Sequence, residues 1–224
     1  MSWPHAIVFD LDGTLIDSVG DIADVLNDCL RDETLAPFPE AAVVSMIGGG
    51  GKLLIERALD RLDRGDDAVL TDRLFTKFAT RYAALGAGRS KPFPGAVDLL
   101  SHLQGLGIRL GICTNKPAAI TARVLDELDL TRWFDAVVGE TPDLARKPDK
   151  AMLLATLQKL GVGPSQAVMI GDSAADIGTA KAAGTRSIAV TFGYTTIPPH
   201  QLGADAVIDH LGEIPATLTR LARD

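Results

Sequence analysis

Apolar positions fall into two rhythms along this chain. Short β-branched or apolar runs recur at 6–9, 108–113, 136–138, 167–170, 187–190 and 206–208, and from the second run onward helix-length segments separate them. Within those segments Ile120, Val124 and Leu128 mark one helical face, and Leu153, Leu157 and Leu160 mark another. Strands alternating with helices predict an α/β fold: a Rossmann-like parallel sheet covered on both sides.

The first interval breaks this rhythm. Nearly a hundred residues separate the run at 6–9 from the run at 108–113, whereas a whole βαβ unit takes about thirty. Ile22, Val25, Leu26, Cys29 and Leu30 follow helical spacing, as do Ile55, Ala58, Leu59 and Leu62, and Leu70, Leu74, Phe78, Tyr82 and Leu85 form a third stripe. The spacing predicts a helical subdomain over 17–89, with 1–16 and 90–224 forming the α/β core. It returns through Gly86-Ala87-Gly88-Arg89-Ser90 and the turn-rich Pro92-Phe93-Pro94-Gly95. Because the insert leaves the sheet directly after the first strand, it should sit over that strand's end as a lid.

Composition narrows the function. At 224 residues the chain can bury a full core. A net charge of −7, from 22 basic and 29 acidic residues with no basic tract, argues against a nucleic-acid or anionic-membrane surface and leaves small anionic substrates, provided positive charge is local. Cys29 and Cys113 lie in apolar periodic segments without CxxC spacing, which reads as buried thiols in a reducing compartment. The N-terminal apolar run is too short for a signal peptide or a membrane span, so a cytoplasmic location is expected. His5, His102, His200 and His210 are scattered without metal-ligand spacing and receive no role.

In an open parallel sheet, ligands bind outside the carboxyl ends of the strands. Four of the expected strand ends carry chemistry. The first gives Asp10-Leu11-Asp12-Gly13-Thr14, with both acids on one side of an extended chain; as anions they would repel by about 4 kcal/mol at an effective dielectric near 20, so a cation or shared proton is required. An Asp-Gly turn would explain the same residues. The second gives Thr114-Asn115-Lys116-Pro117, read as a helix start that offers N–H groups to a phosphate, or as a plain cap. The third gives Arg146-Lys147-Pro148-Asp149, again at an expected helix start, either local positive charge or a solvated pair. The fourth gives Gly171-Asp172-Ser173-Ala174-Ala175-Asp176, two acids spaced i, i+4, which a capped helix would also explain.

Taken in order, Asp10-Leu11-Asp12-Gly13-Thr14, Thr114-Asn115, Lys147-Pro148 and Gly171-Asp172-Ser173-Ala174-Ala175-Asp176 resemble the four motifs of the haloacid dehalogenase superfamily of aspartate-nucleophile phosphatases. The match spans essentially the whole chain, and the helical insert resembles that superfamily's cap. Pro92-Phe93-Pro94-Gly95, Cys113-Thr114-Asn115-Lys116-Pro117 and Phe192-Gly193-Tyr194 are most like phosphoglycolate phosphatases, although related sugar-phosphate phosphatases share parts of them.

The resemblance implies roles. Asp10 is the nucleophile forming an aspartyl-phosphate, and Asp12 is the general acid and base. Asp10, Asp172 and the backbone carbonyl of Asp12 hold Mg²⁺. Lys147 neutralises the phosphoryl group, Thr114 and the Asn115 N–H bind its oxygens, and Asp176 orients Lys147 or a metal-bound water. A dehalogenase needs no acid for an alcohol leaving group, so Asp12 favours phosphoryl chemistry. In the insert, Gly48-Gly49-Gly50-Gly51-Lys52 fails the Walker pattern at Met46 and Leu53. By the resemblance it is the cap loop that meets the leaving group, with Gly49 and Gly50 in contact and Lys52 pairing with a substrate carboxylate; a flexible turn with a solvated Lys52 is the alternative. The expectation is therefore a Mg²⁺-dependent phosphatase, monomer or homodimer, acting on a small phosphate ester such as 2-phosphoglycolate. A sugar or amino-sugar phosphate substrate and a β-phosphoglucomutase-like transfer are alternatives, as is a receiver-like phospho-acceptor, which Asp12 and the long insert disfavour.

Overall fold

A computed structural model describes residues 3–223 of the chain. It opens with β1 (Ala6–Phe9) and, past a turn, β2 (Ile16–Asp17). Four helices follow: α1 (Val19–Asp32), α2 (Glu40–Val44), α3 (Gly51–Asp60) and α4 (Ala68–Leu85). The chain then re-enters through β3 (Lys91–Pro92), which pairs antiparallel with β2. From there it alternates through α5 (Ala96–Gly105), β4 (Arg109–Pro117), α6 (Ala118–Glu127), β5 (Ala136–Glu140) and α7 (Ala151–Leu160). It continues through β6 (Ala167–Gly171), α8 (Ala174–Ala183), β7 (Arg186–Val190), β8 (Ala206–Ile208) and α9 (Ile214–Leu221).

Six of the strands form one parallel sheet in the order β5-β4-β1-β6-β7-β8. β1 lies where the strand order switches direction, with β4 on one side and β6 on the other, so the residues after it open into the crevice where such sheets bind ligands. All four β1 residues are fully buried. Their alternation divides the core: Ile7 and Phe9 join the apolar cluster with Leu99, Leu100 and Ile120, while Ala6 and Val8 pack with Met152, Leu153 and Leu157 on the other face. Truncating Phe9 to Ala would remove about 3–5 kcal/mol of this packing.

The expected stripes are the buried faces of α1, α3 and α4, with two exceptions at helix ends. Leu62 lies beyond the end of α3 and is only partly buried, and Leu85 is exposed in the last turn of α4. The first cluster runs without interruption from Phe9 through Leu11, Leu15 and Ile16 into the helices, so insert and sheet share apolar packing. Two buried polar groups fix the chain crossings. Asp21 on α1 accepts from the backbone N–H of Arg89 (2.6 Å) and Ser90 (2.8 Å) on the return segment. Tyr194 accepts from the N–H of Ser18 (2.7 Å) and Val19 (3.0 Å) and donates to Asp17 (2.9 Å) at the start of α1. Among the described residues no helix is long and apolar enough to cross a membrane. Both cysteines are free and buried, and burial pushes the Cys113 thiol up to about 12, which keeps it from acting as a nucleophile.

Candidate active site

The parallel sheet delivers the acids and the lysine to one place. After β1 the backbone N–H of Asp10 still bonds to Ile170 of β6 (2.8 Å), and the chain then turns at Gly13, whose φ of +83° favours glycine. A Cβ there would stand 2.6 Å from Asp172 Oδ2, so the turn also makes room for the acid that follows β6. Lys147, in the loop after β5, reaches across the sheet edge: its Nζ lies 2.8 Å from Asp10 Oδ1 and 2.5 Å from Asp176 Oδ1, and donates to the carbonyl of Cys113 at 2.9 Å. Oxygens of Asp10, Asp172 and Asp176 all lie within 4.8 Å of one another.

The acids here are differently satisfied. Asp176 is fully occupied, with Oδ1 on Lys147 and Oδ2 accepting from Ser173 N–H (3.0 Å) and Ser173 Oγ (2.6 Å) in a capping box at the start of α8. Asp172 accepts from Thr14 Oγ1 (3.3 Å) and from the N–H of Tyr194 (2.7 Å). Asp10 Oδ1 has no aligned hydrogen bond although it is buried, because Lys147 approaches it as an ion pair outside hydrogen-bond geometry. Burial, followed by the charge of Asp176, raises Asp10 well above the ordinary carboxylate range despite Lys147, and Asp172 is likewise raised by burial and then by Asp176 and Asp10. Burial opposes the charge on Lys147, but Asp10 and Asp176 outweigh it and the net shift is upward.

One lysine cannot neutralise three carboxylates. The surplus negative charge, the hard oxygen donors and the unmet Asp10 oxygen fit a divalent cation of the Mg²⁺ type at Asp10 and Asp172. Asp176, with both oxygens taken, is placed to hold Lys147.

The side chain of Asp12 turns away from this cluster. Its Oδ1 accepts from Ser18 Oγ (2.7 Å), and Lys116 Nζ donates to Oδ1 (2.9 Å) and Oδ2 (3.1 Å). Thr114 lies in β4, three residues before Pro117 caps α6, so the expected helix start at Thr114 gives way to a strand end; the hydroxyl accepts from Lys116 N–H at 3.3 Å instead of capping. Helix α7 likewise begins only at Ala151, leaving Arg146 and Lys147 in the preceding loop. Asn115 aligns that loop, accepting from Lys147 N–H (2.9 Å) and donating to Lys147 O (3.1 Å).

Above the acids lies a cavity of about 190 Å³ whose walls come from both sheet and insert. Asp10, Asp12, Thr114, Asn115, Lys147 and Asp172 form its floor, and Ile22, Ile47, Leu54, Phe75, Phe78 and Ile120 line its sides. The glycines at 48–51 and Lys52 border it, with Gly50 preceding the first residue of α3. Lys52 is half exposed at the cavity border, and its Nζ lies 3.0 Å from Asp72 of the insert. Arg146 bridges the two walls, donating to the carbonyl of Gly49 and lying 3.3 Å from Glu140.

Sequence reasoning gave no role to Lys116, Tyr82, Tyr194, Thr14 or Ser18. The first two are the most informative. Lys116 is buried and also donates to Tyr82 Oη on α4 at 2.5 Å, with the ammonium 4.6 Å from the centre of the Tyr82 ring. Burial opposes its charge, but Asp12 and Tyr82 shift it upward overall. In the sequence Tyr82 reads as a member of an apolar stripe, and its phenol oxygen, the one polar side-chain atom in that stripe, is the signal that distinguishes it.

A family model for haloacid dehalogenase-like hydrolases matches residues 4–184. The chain is 43% identical over 216 residues to a phosphoglycolate phosphatase of Rhodospirillum rubrum, covering 94% of this chain and 89% of that protein. It is 40% identical over 218 residues to a phosphoglycolate phosphatase of Mesorhizobium japonicum, covering 97% and 96%. Among solved structures, a predicted phosphoglycolate phosphatase from Haemophilus somnus superposes with a TM-score of 0.87 at 29% identity, covering 97% of this chain and 99% of that one. CbbY from Rhodobacter sphaeroides, in complex with phosphate, superposes with a TM-score of 0.76 at 28% identity, covering 94% and 96%.

Proposed function

The chain belongs to the haloacid dehalogenase-like hydrolases and hydrolyses phosphoric monoesters, and from that premise we propose that it cleaves 2-phosphoglycolate to glycolate and phosphate through an aspartyl-phosphate on Asp10. The observation that carries this reading is the Asp10 carboxylate, buried against the cavity with Oδ1 held by the Lys147 ammonium at 2.8 Å and by no aligned hydrogen bond. A carboxylate is a competent nucleophile once ionised, and its acyl phosphate is readily hydrolysed.

Asp10 attacks phosphorus in line, the P–O bond to the leaving group breaks, and Asp12 delivers a proton to the departing alkoxide. Asp12 then takes a proton from the water that cleaves the aspartyl-phosphate. Acid–base help of this kind supplies about 10²–10⁴-fold, so most of the acceleration comes from positioning and charge neutralisation. Lys147, held by Asp176 and by the Cys113 carbonyl, meets the phosphoryl oxygens together with Thr114 and the Asn115 N–H. Asp10, Asp172 and the Asp12 backbone carbonyl would hold Mg²⁺, which when bound supplies the remaining positive charge. The insert closes the cavity as a lid, with the glycines at 48–51 facing the leaving group.

The deciding experiment measures kcat/KM with Mg²⁺ over phosphoglycolate, hexose phosphates, amino-sugar phosphates, nucleotides and pyrophosphate. Phosphoglycolate is expected to lead by at least about tenfold, a difference of roughly 1.4 kcal/mol in transition-state binding; a sugar phosphate in that place would overturn the substrate assignment. Acid quenching during turnover should trap a phosphorylated chain whose label maps to Asp10.

A further inference from the structure

We propose that Lys116, supported by Tyr82, is the residue that receives the carboxylate of the substrate; this rests on the phosphoglycolate reading above. The starting point is the substrate's own dimension. In a phosphorylated 2-hydroxy acid the carboxylate is one carbon from the ester oxygen, roughly 3 Å away by ordinary bond lengths. The ester oxygen is the atom that Asp12 protonates, so the cation that reads the carboxylate has to stand beside Asp12.

Four cationic residues line the cavity. Lys147 faces the phosphoryl side, ion-paired with Asp10 and Asp176. Lys52 is paired with Asp72 and half exposed, and Arg146 is held at the rim by Glu140 and the Gly49 carbonyl. Lys116 alone of the four touches Asp12, at 2.9 and 3.1 Å. It grips both oxygens of that carboxylate, so one N–H can pass to a second anion without breaking the pair. Tyr82 anchors the ammonium from the insert, and around them Ile22, Phe78 and Ile120 present no competing donor. In an apolar cavity an unpaired carboxylate is costly to bury, so the cation that meets it decides which tails are accepted. The insert thereby contributes a selective group without supplying the charge itself: Tyr82 fixes a lysine that belongs to β4.

The test is selectivity, measured as kcat/KM for phosphoglycolate divided by kcat/KM for ethyl phosphate, which has the same carbon count and an uncharged tail. In Lys116→Gln this ratio should fall about 100-fold, because the truncation removes a buried charge partner of the substrate. Lys116→Arg should recover part of it, and Tyr82→Phe, which keeps the ring and removes the hydroxyl, should lower the ratio about threefold to tenfold. Equal losses on both esters would mean that Lys116 only holds Asp12, and would overturn the proposal. A measurement on the unaltered protein guards against a variant that does not fold: 3-phosphooxypropionate, with its carboxylate one methylene further out, should be at least about tenfold poorer than phosphoglycolate, and an equal or better rate overturns the assignment. Should the unaltered protein treat ethyl phosphate and phosphoglycolate alike, the substrate reading falls as well; if it selects phosphoglycolate and Lys116→Gln keeps that selection, only the role of Lys116 falls.

Discussion

On the outer face of the insert, Glu33 receives Arg73 at 2.6 Å and Lys77 at 2.7 Å, and Asp32 receives Arg81 at 2.6 Å. At the sheet edge, by contrast, Asp10, Asp172 and Asp176 are gathered around the single ammonium of Lys147. Hydrogen bonds from Arg73 and then Lys77 hold Glu33 down to about 2, whereas burial and neighbouring acids push Asp10 up to about 6. Pairing is complete where charge fastens helices and deficient at the sheet edge, and under the proposed function that deficit is where a phosphate and its cation would sit. The two regions therefore respond to pH with opposite signs. For Glu33 the folded value lies below the ordinary 4.5, so its contribution is present above about 4.5 and is lost as pH falls toward 2. For Asp10 the folded value lies above the ordinary 3.8, so the fold is penalised as pH rises from 3.8 through about 6.

The sharpest way to break this contrast is Asp10→Asn. Activity should fall by about 10⁴-fold or more, while thermal unfolding should show a midpoint at or above that of the unaltered chain, since the penalty on ionising this buried carboxylate beside other acids is gone. A large loss of stability would place Asp10 among the structural pairs instead. Next in size is the cation. Chelation should abolish turnover, and Mg²⁺ at 100 times its Kd should stabilise the fold by about 2.7 kcal/mol, or roughly 5–10 °C in midpoint. The shift should be larger at pH 7.5 than at pH 5, where protons compete for the same carboxylates, and small in Asp172→Asn.

Asp176→Asn tests the boundary between the regions, because Asp176 is as well satisfied as Glu33 yet lies in the acid cluster. A loss of about 10–100-fold in kcat with little change in KM is expected if it acts by orienting Lys147. The smallest effect belongs to Glu33→Gln: activity within about twofold and a midpoint lower by only a few degrees. Its acid-unfolding curve, followed by circular dichroism between pH 5 and 2, should be flatter than that of the parent.

The sheet strands were legible because each is a short apolar run bounded by turn residues, and the six runs coincide with β1, β4, β5, β6, β7 and β8. What escaped were elements fixed by partners rather than by pattern. The β2–β3 ribbon consists of two residues on each side, and α2 is only five residues long, so neither carries a periodic signal. Within the site, Asp10, Asp12, Lys147 and Asp172 were found because each follows a strand. Lys116 lies within β4, and its meaning rests on contacts 104 residues away at Asp12 and 34 residues away at Tyr82, which no local spacing encodes. Lys52 shows the same limit: a glycine run beside a lysine suggests a ligand group, but the ion-pair partner Asp72, brought in by the packing of α3 against α4, is not encoded in that run.

The central place of β1 also dictates when this protein can come into being on the ribosome. Its four apolar residues are translated well before the neighbours that satisfy its two edges, Arg109–Ile112 and Ala167–Ile170, which arrive about 100 and 160 residues later. At elongation rates of about 5–20 residues per second that interval is on the order of ten seconds. Throughout it an unpaired Ala-Ile-Val-Phe segment is a site for wrong pairing with another nascent chain. The helices of the insert, built from local contacts, are complete before β4 emerges. Until β6 emerges, Asp10 and Asp172 have no common edge to share, so a half-made chain holds one acid of the cluster without its counterpart.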